Sequence, residues 1–169
     1  VYNGTYEVPV RLYFPNEESM SGDVSENDRY PVLLFFHGGG WVIGSVDTHD
    51  AAVRSLAAAS GLTVISADYR LGPEFPMPAA ADDALAIFRF VESHASDYGI
   101  DPGKLALSGD SAGASLAAST AVAVANTPQR PAALLLFYPS LDQRPEAESL
   151  ASRRFFSEGG PVTKSLSDW

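Results

Sequence analysis

The chain contains no cysteine, and this absence excludes several kinds of site from its 169 residues. Disulfide frameworks, thiolate nucleophiles and zinc sites built on cysteine sulfur all require the missing residue. A reducing compartment fits such a composition.

Positive charge is also scarce, because 11 Lys and Arg stand against 21 Asp and Glu and leave a net charge of −10. Nucleic-acid binding depends on clustered cations that displace counterions from phosphate, and an anionic membrane surface attracts cations in the same way. We therefore expect neither partner. Charged residues make up only 19% of the chain and aromatic residues 11%, a balance that predicts a globular domain with a sizeable core.

Long apolar runs are missing too: none reaches the roughly 18–20 residues that a membrane-spanning helix needs, and the N-terminus has no basic-then-apolar signal. No membrane span is predicted, and a cytoplasmic location is the expectation. The chain starts at Val1 rather than Met and stops at Trp169, just after the apparent start of a helix. Both ends look cut, and we expect the sequence to be part of a longer protein.

Short apolar runs alternate with segments of helical periodicity along the chain. Strands are predicted near 5–14, 32–36, 63–66, 105–107 and 132–138, and helices near 49–59, 79–96 and 113–126. Parallel strands need a crossover long enough to hold a helix. The alternation therefore predicts an α/β fold with a doubly wound, mostly parallel sheet of the α/β-hydrolase type, incomplete at the C-terminus.

Two local details accompany this fold. Pro9 cannot donate a hydrogen bond to a neighbouring strand, which places the first strand toward a sheet edge. The alternation in that strand predicts that Val10 and Leu12 face the core. Asp47 or Thr48 is available to cap the first helix.

The segment Gly109-Asp110-Ser111-Ala112-Gly113 matches G-x-S-x-G between a predicted strand and a predicted helix. In this sharp turn the serine adopts strained backbone angles that expose its hydroxyl, and flanking glycines let strand and helix approach closely. We predict that Ser111 is a nucleophile and that the backbone N–H of Ala112 stabilises an oxyanion. The alternative is a Gly/Ser turn that only caps a helix.

The segment His37-Gly38-Gly39-Gly40-Trp41 directly follows the buried strand at 32–36. Three consecutive glycines let backbone N–H groups turn inward without side chains in the way, which suits a developing negative charge on oxygen. A flexible loop or a phosphate-binding nest is the alternative, and no Gly-Lys-Ser/Thr follows to support phosphate. Both motifs follow neighbouring strands, so they predict one site at the carboxyl edge of the sheet.

Further segments fall in a recognisable order with these two motifs: Asp68-Tyr69-Arg70-Leu71-Gly72-Pro73-Glu74, Pro78-Ala79-Ala80, Asp82-Asp83 and Tyr138-Pro139. From about residue 5 to its end, the sequence resembles the hormone-sensitive-lipase-like group of α/β-hydrolase carboxylesterases. The resemblance implies a serine hydrolase that acts on a small-molecule ester, with short-chain acyl esters as the expected class. No metal ion or organic cofactor is implied, and no oligomeric state is predicted.

The resemblance also implies roles for individual residues. Ser111 is the implied nucleophile, and the implied oxyanion hole is formed by the N–H groups of Gly39, Gly40 and Ala112. Gly38 is expected to support this loop. Trp41 is expected to form part of the substrate-pocket wall, with an ordinary packed aromatic as the alternative.

Histidine is missing where this chemistry needs it. A serine nucleophile requires a base and an acid that orients the base, and in this fold both follow the serine in the chain. The three histidines all precede Ser111: His37, His49 and His94. We expect the base and acid to lie beyond Trp169, which makes 1–169 a partial catalytic domain whose residues 142–169 lead into a cap or lid.

Two alternatives to an esterase stay open. One is a catalytically inactive hydrolase fold that binds a small molecule. The other is a related serine amidase or peptidase, which the same motifs could serve.

Overall fold

The computed structural model describes residues 1–16 and 29–141, so the predicted cap or lid segment at 142–169 lies outside the described residues. The described strands are β1 (Val10–Tyr13), β2 (Tyr30–Phe36), β3 (Thr63–Ala67), β4 (Ile100–Asp110) and β5 (Leu134–Phe137). The described α-helices are α1 (Asp50–Ser60), α2 (Ala79–Ser93) and α3 (Ala112–Ala123), and a short 3-10 helix (Ala95–Tyr98) follows α2.

The described strands form one sheet in the order β1-β3-β2-β4-β5. The three pairs β2–β3, β2–β4 and β4–β5 are parallel, whereas β1 runs antiparallel to β3 at the sheet edge. Each parallel connection contains a helix, as the length of a parallel crossover requires. The predicted α/β fold with a mostly parallel sheet, and the edge position of the strand after Pro9, are confirmed.

Helices cover both faces of the sheet, which is the doubly wound arrangement. Leu33 and Phe35 of β2 pack in a cluster with Val53 of α1. The alternate residues Leu34 and Phe36 point to the opposite face and pack in a larger cluster with residues of α2 and α3. A continuous apolar strand is the pattern expected when both faces of a parallel sheet are buried.

The predicted orientation of β1 is wrong at Leu12, whose exposed fraction is 47%. Tyr13 is buried instead, in the same cluster as Val53, and its hydroxyl donates to Asp50 Oδ1 at 3.0 Å. Because α1 packs on the face that carries Tyr13, the aromatic ring rather than Leu12 gains the buried environment.

The predicted caps of α1 are also wrong. His49 occupies the N-cap position, and it makes no side-chain capping bond. The Asp47 carboxylate accepts a hydrogen bond from Arg11 at 2.6 Å, and the Thr48 hydroxyl donates to the Ser45 carbonyl at 2.9 Å. The Asp47 side chain is therefore used in an ion pair with β1, and the Thr48 side chain in the turn that precedes the helix.

Candidate active site

Ser111 lies between β4 and α3 with φ 50° and ψ −116°, a region that non-glycine residues rarely adopt. Its N–H donates to the Phe137 carbonyl at the end of β5 at 2.9 Å, and its carbonyl accepts from the Ser115 N–H at 3.1 Å. These bonds hold the backbone in its strained conformation, which is typical of a nucleophile elbow. The predicted strand–turn–helix setting of Ser111 is confirmed.

The glycines on either side of Ser111 permit a very close approach of strand and helix. A Cβ atom added to Gly113 would lie 2.0 Å from the carbonyl oxygen of Phe36 and 2.4 Å from that of His37. A Cβ atom added to Gly109 would lie 2.5 Å from the Phe36 oxygen. Only glycine at these positions allows the first turn of α3 to lie against the end of β2, as the motif predicted.

Residues 37–41, here called the glycine loop, leave the sheet beside Ser111. Phe36, which precedes the loop, is paired with Gly109 of β4, so the loop and the elbow follow neighbouring strands. Gly39 and Gly40 have φ of 126° and 59°, the region that favours glycine. In the described part of the chain their backbone N–H groups donate no hydrogen bond. Two donors are therefore available next to the elbow.

A carboxylate connects the glycine loop to the elbow. Asp110 Oδ1 accepts a hydrogen bond from the Gly38 N–H at 2.9 Å and lies 3.4 Å from His49 Nε2. Asp110 Oδ2 accepts from the Tyr138 hydroxyl at 3.3 Å, and this negative charge raises the pKa of Tyr138. Sequence reasoning missed this junction, because Asp110 and Gly38 are 72 positions apart and no spacing rule links them.

His37, the first residue of the glycine loop, is fully buried. Its ring stacks on Tyr69 with 4.3 Å between ring centroids, and the Tyr69 hydroxyl donates to the His37 carbonyl at 2.6 Å. Burial lowers the pKa of His37 because desolvation disfavours the imidazolium, although a hydrogen bond with the Gly38 carbonyl acts in the other direction. His37 is held as a neutral ring that shapes the loop.

The other two histidines have contacts of their own. His49 precedes α1, and its ring faces Asp110 and the Thr48 hydroxyl. His94 follows α2, is exposed, and stacks on Phe90 with 4.2 Å between centroids. Among residues 1–16 and 29–141, no hydrogen bond joins Ser111 Oγ to a histidine.

Trp41 ends the glycine loop with φ 62°, an unusual conformation for a bulky residue. Its carbonyl accepts from the Gly72 N–H at 2.8 Å, and its partly buried ring packs against the larger core cluster. The indole N–H is buried and has no hydrogen-bond partner within the described residues. The role of this side chain as part of a substrate-pocket wall stays a prediction.

An ion pair fixes the connection between β3 and α2. This connection contacts the glycine loop through the hydrogen bond from the Gly72 N–H to the Trp41 carbonyl. Asp83 is fully buried and accepts from Arg70 Nη2 at 2.7 Å, from Arg70 Nε at 2.9 Å and from the Arg70 backbone N–H at 3.0 Å. The Asn3 side chain also donates to Asp83. The guanidinium lies over the Tyr6 and Phe75 rings, so the N-terminal segment is held to the same connection.

Within 1–16 and 29–141, no helix is both long enough and apolar enough to cross a membrane. In that same part of the chain, no group of three or more His, Cys, Asp or Glu side chains is arranged to hold a metal ion.

Known proteins resemble both the sequence and the geometry. Residues 33–169 match the family described as alpha/beta hydrolase fold. Carboxylesterase NlhH of Mycobacterium tuberculosis is 39% identical over 140 residues, covering 82% of this chain and 41% of that protein. Carboxylic ester hydrolase LipN of the same organism is 38% identical over 169 residues, covering 96% of this chain and 42% of that protein.

Solved structures give the same result. An ester-hydrolase from the metagenome of Lake Arreo, complexed with a bipyridine phosphonate derivative, superposes with a TM-score of 0.82 at 39% identity. The match covers 100% of this chain and 51% of that protein. The chain thus spans about half the length of this structure and about two fifths of the two curated relatives.

Proposed function

Because the chain belongs to the α/β-hydrolase family, in its hormone-sensitive-lipase-like carboxylesterase group, we propose that the whole protein hydrolyses carboxylic esters through an acyl-enzyme on Ser111. The observation that carries this proposal is the strained turn at Ser111, set beside a glycine loop in which the N–H groups of Gly39 and Gly40 have no acceptor within the described residues. The names of the relatives, carboxylesterase and carboxylic ester hydrolase, support the same reaction.

In the proposed reaction, Ser111 Oγ attacks the ester carbonyl carbon while its proton passes to a general base. The carbonyl oxygen becomes an oxyanion, which accepts hydrogen bonds from the N–H groups of Gly39, Gly40 and Ala112. Ala112 is the first residue of α3, and the first N–H groups of a helix have no partner within it. The partial positive charge of that helix end favours the oxyanion further.

Collapse of the tetrahedral intermediate breaks the bond to the alcohol, which leaves with the proton returned by the base. Water then attacks the acyl-enzyme by the same steps and regenerates the Ser111 hydroxyl. We assign the base and its orienting acid to residues outside the described part of the chain, because His37 stacks on Tyr69 with its Nδ1 against the Gly38 carbonyl and His49 faces Asp110.

Gly38 and Trp41 complete the proposed site without reacting. Gly38 precedes the two donor residues, and a Cβ atom there would lie 2.1 Å from Asp110 Oδ2, so a side chain at this position would displace the Asp110 carboxylate. Trp41 directly follows the two proposed oxyanion donors in the chain. Its ring is the proposed wall of the pocket for the acyl or alcohol group.

Hydrolysis of p-nitrophenyl butyrate by the whole protein tests the proposal. Ser111→Ala is expected to lower kcat by roughly 10⁴- to 10⁶-fold, because the attacking atom is lost while the oxyanion hole remains. Ser119→Ala is the matched control, since Ser119 is an exposed serine of α3, the helix that begins directly after Ser111. Equal rates for Ser111→Ala and Ser119→Ala would refute the assignment, as would a whole protein without esterase activity.

A further inference from the structure

We propose that Asp110 is a positioning residue for the oxyanion hole, whose carboxylate fixes the glycine loop relative to Ser111. The inference rests on the proposed function, since it assigns the oxyanion donors to that loop. Asp110 does not need to touch substrate in this role, because it acts through the Gly38 backbone.

The Asp110 carboxylate contacts the glycine loop directly through a charge-assisted hydrogen bond. Asp110 Oδ1 accepts the Gly38 N–H at 2.9 Å, and a bond from an amide to a charged carboxylate is roughly twice as strong as one between neutral groups. Gly38 is followed by Gly39 and Gly40, whose N–H groups donate no hydrogen bond among residues 1–16 and 29–141. Holding the Gly38 peptide therefore sets where the next two N–H groups lie.

The same carboxylate belongs to the residue that precedes the nucleophile. Asp110 and Ser111 share a peptide bond, and the Ser111 N–H is held by Phe137. Few rotatable bonds therefore separate the nucleophile from the Asp110 carboxylate that holds the glycine loop. Space around Gly38 is tight, because an added Cβ atom would meet Asp110 Oδ2 at 2.1 Å and the Asp110 carbonyl oxygen at 3.1 Å.

Two further groups lie against the carboxylate. The Tyr138 hydroxyl, after β5, donates to Oδ2 at 3.3 Å, and His49 Nε2, just before α1, lies 3.4 Å from Oδ1. Only 16% of the Asp110 side chain is exposed. The carboxylate thus joins the segments that follow β2, precede α1 and follow β5. All three lie at the carboxyl ends of the parallel strands, where Ser111 also lies.

The test compares steady-state kinetics of the whole protein with Asp110→Ala, Asp110→Asn and Asp101→Ala. Asp101 is a matched control at the other end of β4, because its Oδ1 also accepts a glycine N–H, that of Gly103, at 2.9 Å. Its Oδ2 lies 3.2 Å from Lys104 Nζ. Asparagine keeps an acceptor for Gly38 and a donor for Tyr138, so it separates the hydrogen bond from the charge.

Asp110→Ala is expected to lower kcat by about 10- to 100-fold with KM changed less than about threefold, since a displaced oxyanion hole weakens transition-state binding only. Asp110→Asn is expected to recover kcat to within about fivefold of the unmodified protein, and Asp101→Ala to leave kcat unchanged. Equal kcat in Asp110→Ala and Asp101→Ala would overturn the inference. So would a loss in Asp110→Asn as large as that in Asp110→Ala.

Amide hydrogen exchange at Gly38 adds a measurement that needs no variant to fold. Slow exchange is expected in the unmodified protein, and exchange at the rate of an unstructured peptide would overturn the contact. Failure of the proposed function is distinguishable, because either the whole protein would then lack esterase activity or Ser111→Ala would stay active, whatever the Asp110 variants do. An inactive Ser111→Ala together with a fully active Asp110→Ala would remove only the positioning role.

Discussion

Gly113→Ala is the substitution whose effect on the active site the structure specifies most closely. The added Cβ atom would lie 2.0 Å from the Phe36 carbonyl oxygen, where ordinary van der Waals contact begins at 3.4 Å. Relief of the overlap requires the first turn of α3 and the end of β2 to separate by about 1.4 Å, the difference between these two distances. Ser111 and Ala112 lie on one side of that contact and the glycine loop on the other.

Two energetic effects of Gly113→Ala oppose each other. Alanine in a helix is favoured over glycine by about 1 kcal/mol, whereas overpacking a tight contact costs about 1–3 kcal/mol and occasionally more. Because the obstacle is backbone on both sides, we expect the overpacking cost to dominate and the free energy of unfolding to fall. A shift of about 1 Å between nucleophile and oxyanion donors is expected to lower kcat by about 100-fold.

Gly61→Ala is the matched control. Gly61 ends α1 with φ 70°, and an added Cβ atom would meet nothing within 4 Å. Left-handed backbone at alanine costs about 1–2 kcal/mol, so this variant loses stability without loss of activity. Urea denaturation and p-nitrophenyl butyrate hydrolysis of the whole protein measure both quantities. A kcat for Gly113→Ala equal to that of Gly61→Ala would refute the close-approach argument.

Two further predictions concern stability. Asp83→Ala leaves Arg70 without its buried partner and is expected to lower the free energy of unfolding by about 3–5 kcal/mol. Asp82→Ala, at the exposed neighbouring position, is expected to change it by no more than about 0.5 kcal/mol. Equal urea midpoints for the two variants would contradict this. Burial lowers the pKa of His37 below 6.5, so the unfolded chain binds a proton first as pH falls. The stability contributed by neutral His37 is complete above pH 6.5 and is lost as pH falls through the folded-state pKa. Thermal unfolding between about pH 8 and 5 is expected to show a shallower dependence in His37→Gln, and an unchanged dependence would argue against this assignment.

Local patterns were sufficient to predict most of the sheet and the elbow. The unbroken apolar run of β2 indicates burial on both faces, and the structure has it in the middle of the sheet. The turn at Ser111 is encoded by adjacent residues, so its motif predicted the setting correctly. The strand predicted near 105–107 begins earlier than expected, since β4 starts at Ile100 and contains Pro102 and Gly103, which usually interrupt a strand.

Contacts between distant segments could not be predicted in this way. The register of β4 on β2 shifts between Tyr30 and Val32, which accommodates the extra residues around Pro102 inside the strand. The burial of Tyr13 in place of Leu12 depends on which face α1 covers. The contacts of Asp110 with Gly38 and His49 depend on the meeting of three chain segments, and no periodicity in the sequence encodes such a meeting.

The central claim is that Ser111 Oγ is the nucleophile of an ester hydrolase. Reaction of the whole protein with a p-nitrophenyl phosphonate ester, followed by mass spectrometry of the digested protein, tests it most directly. The account predicts one phosphonyl group per chain, on the peptide that contains Ser111, with release of nitrophenol and loss of esterase activity. Labelling of a different residue, or equal labelling of Ser111→Ala, would contradict it.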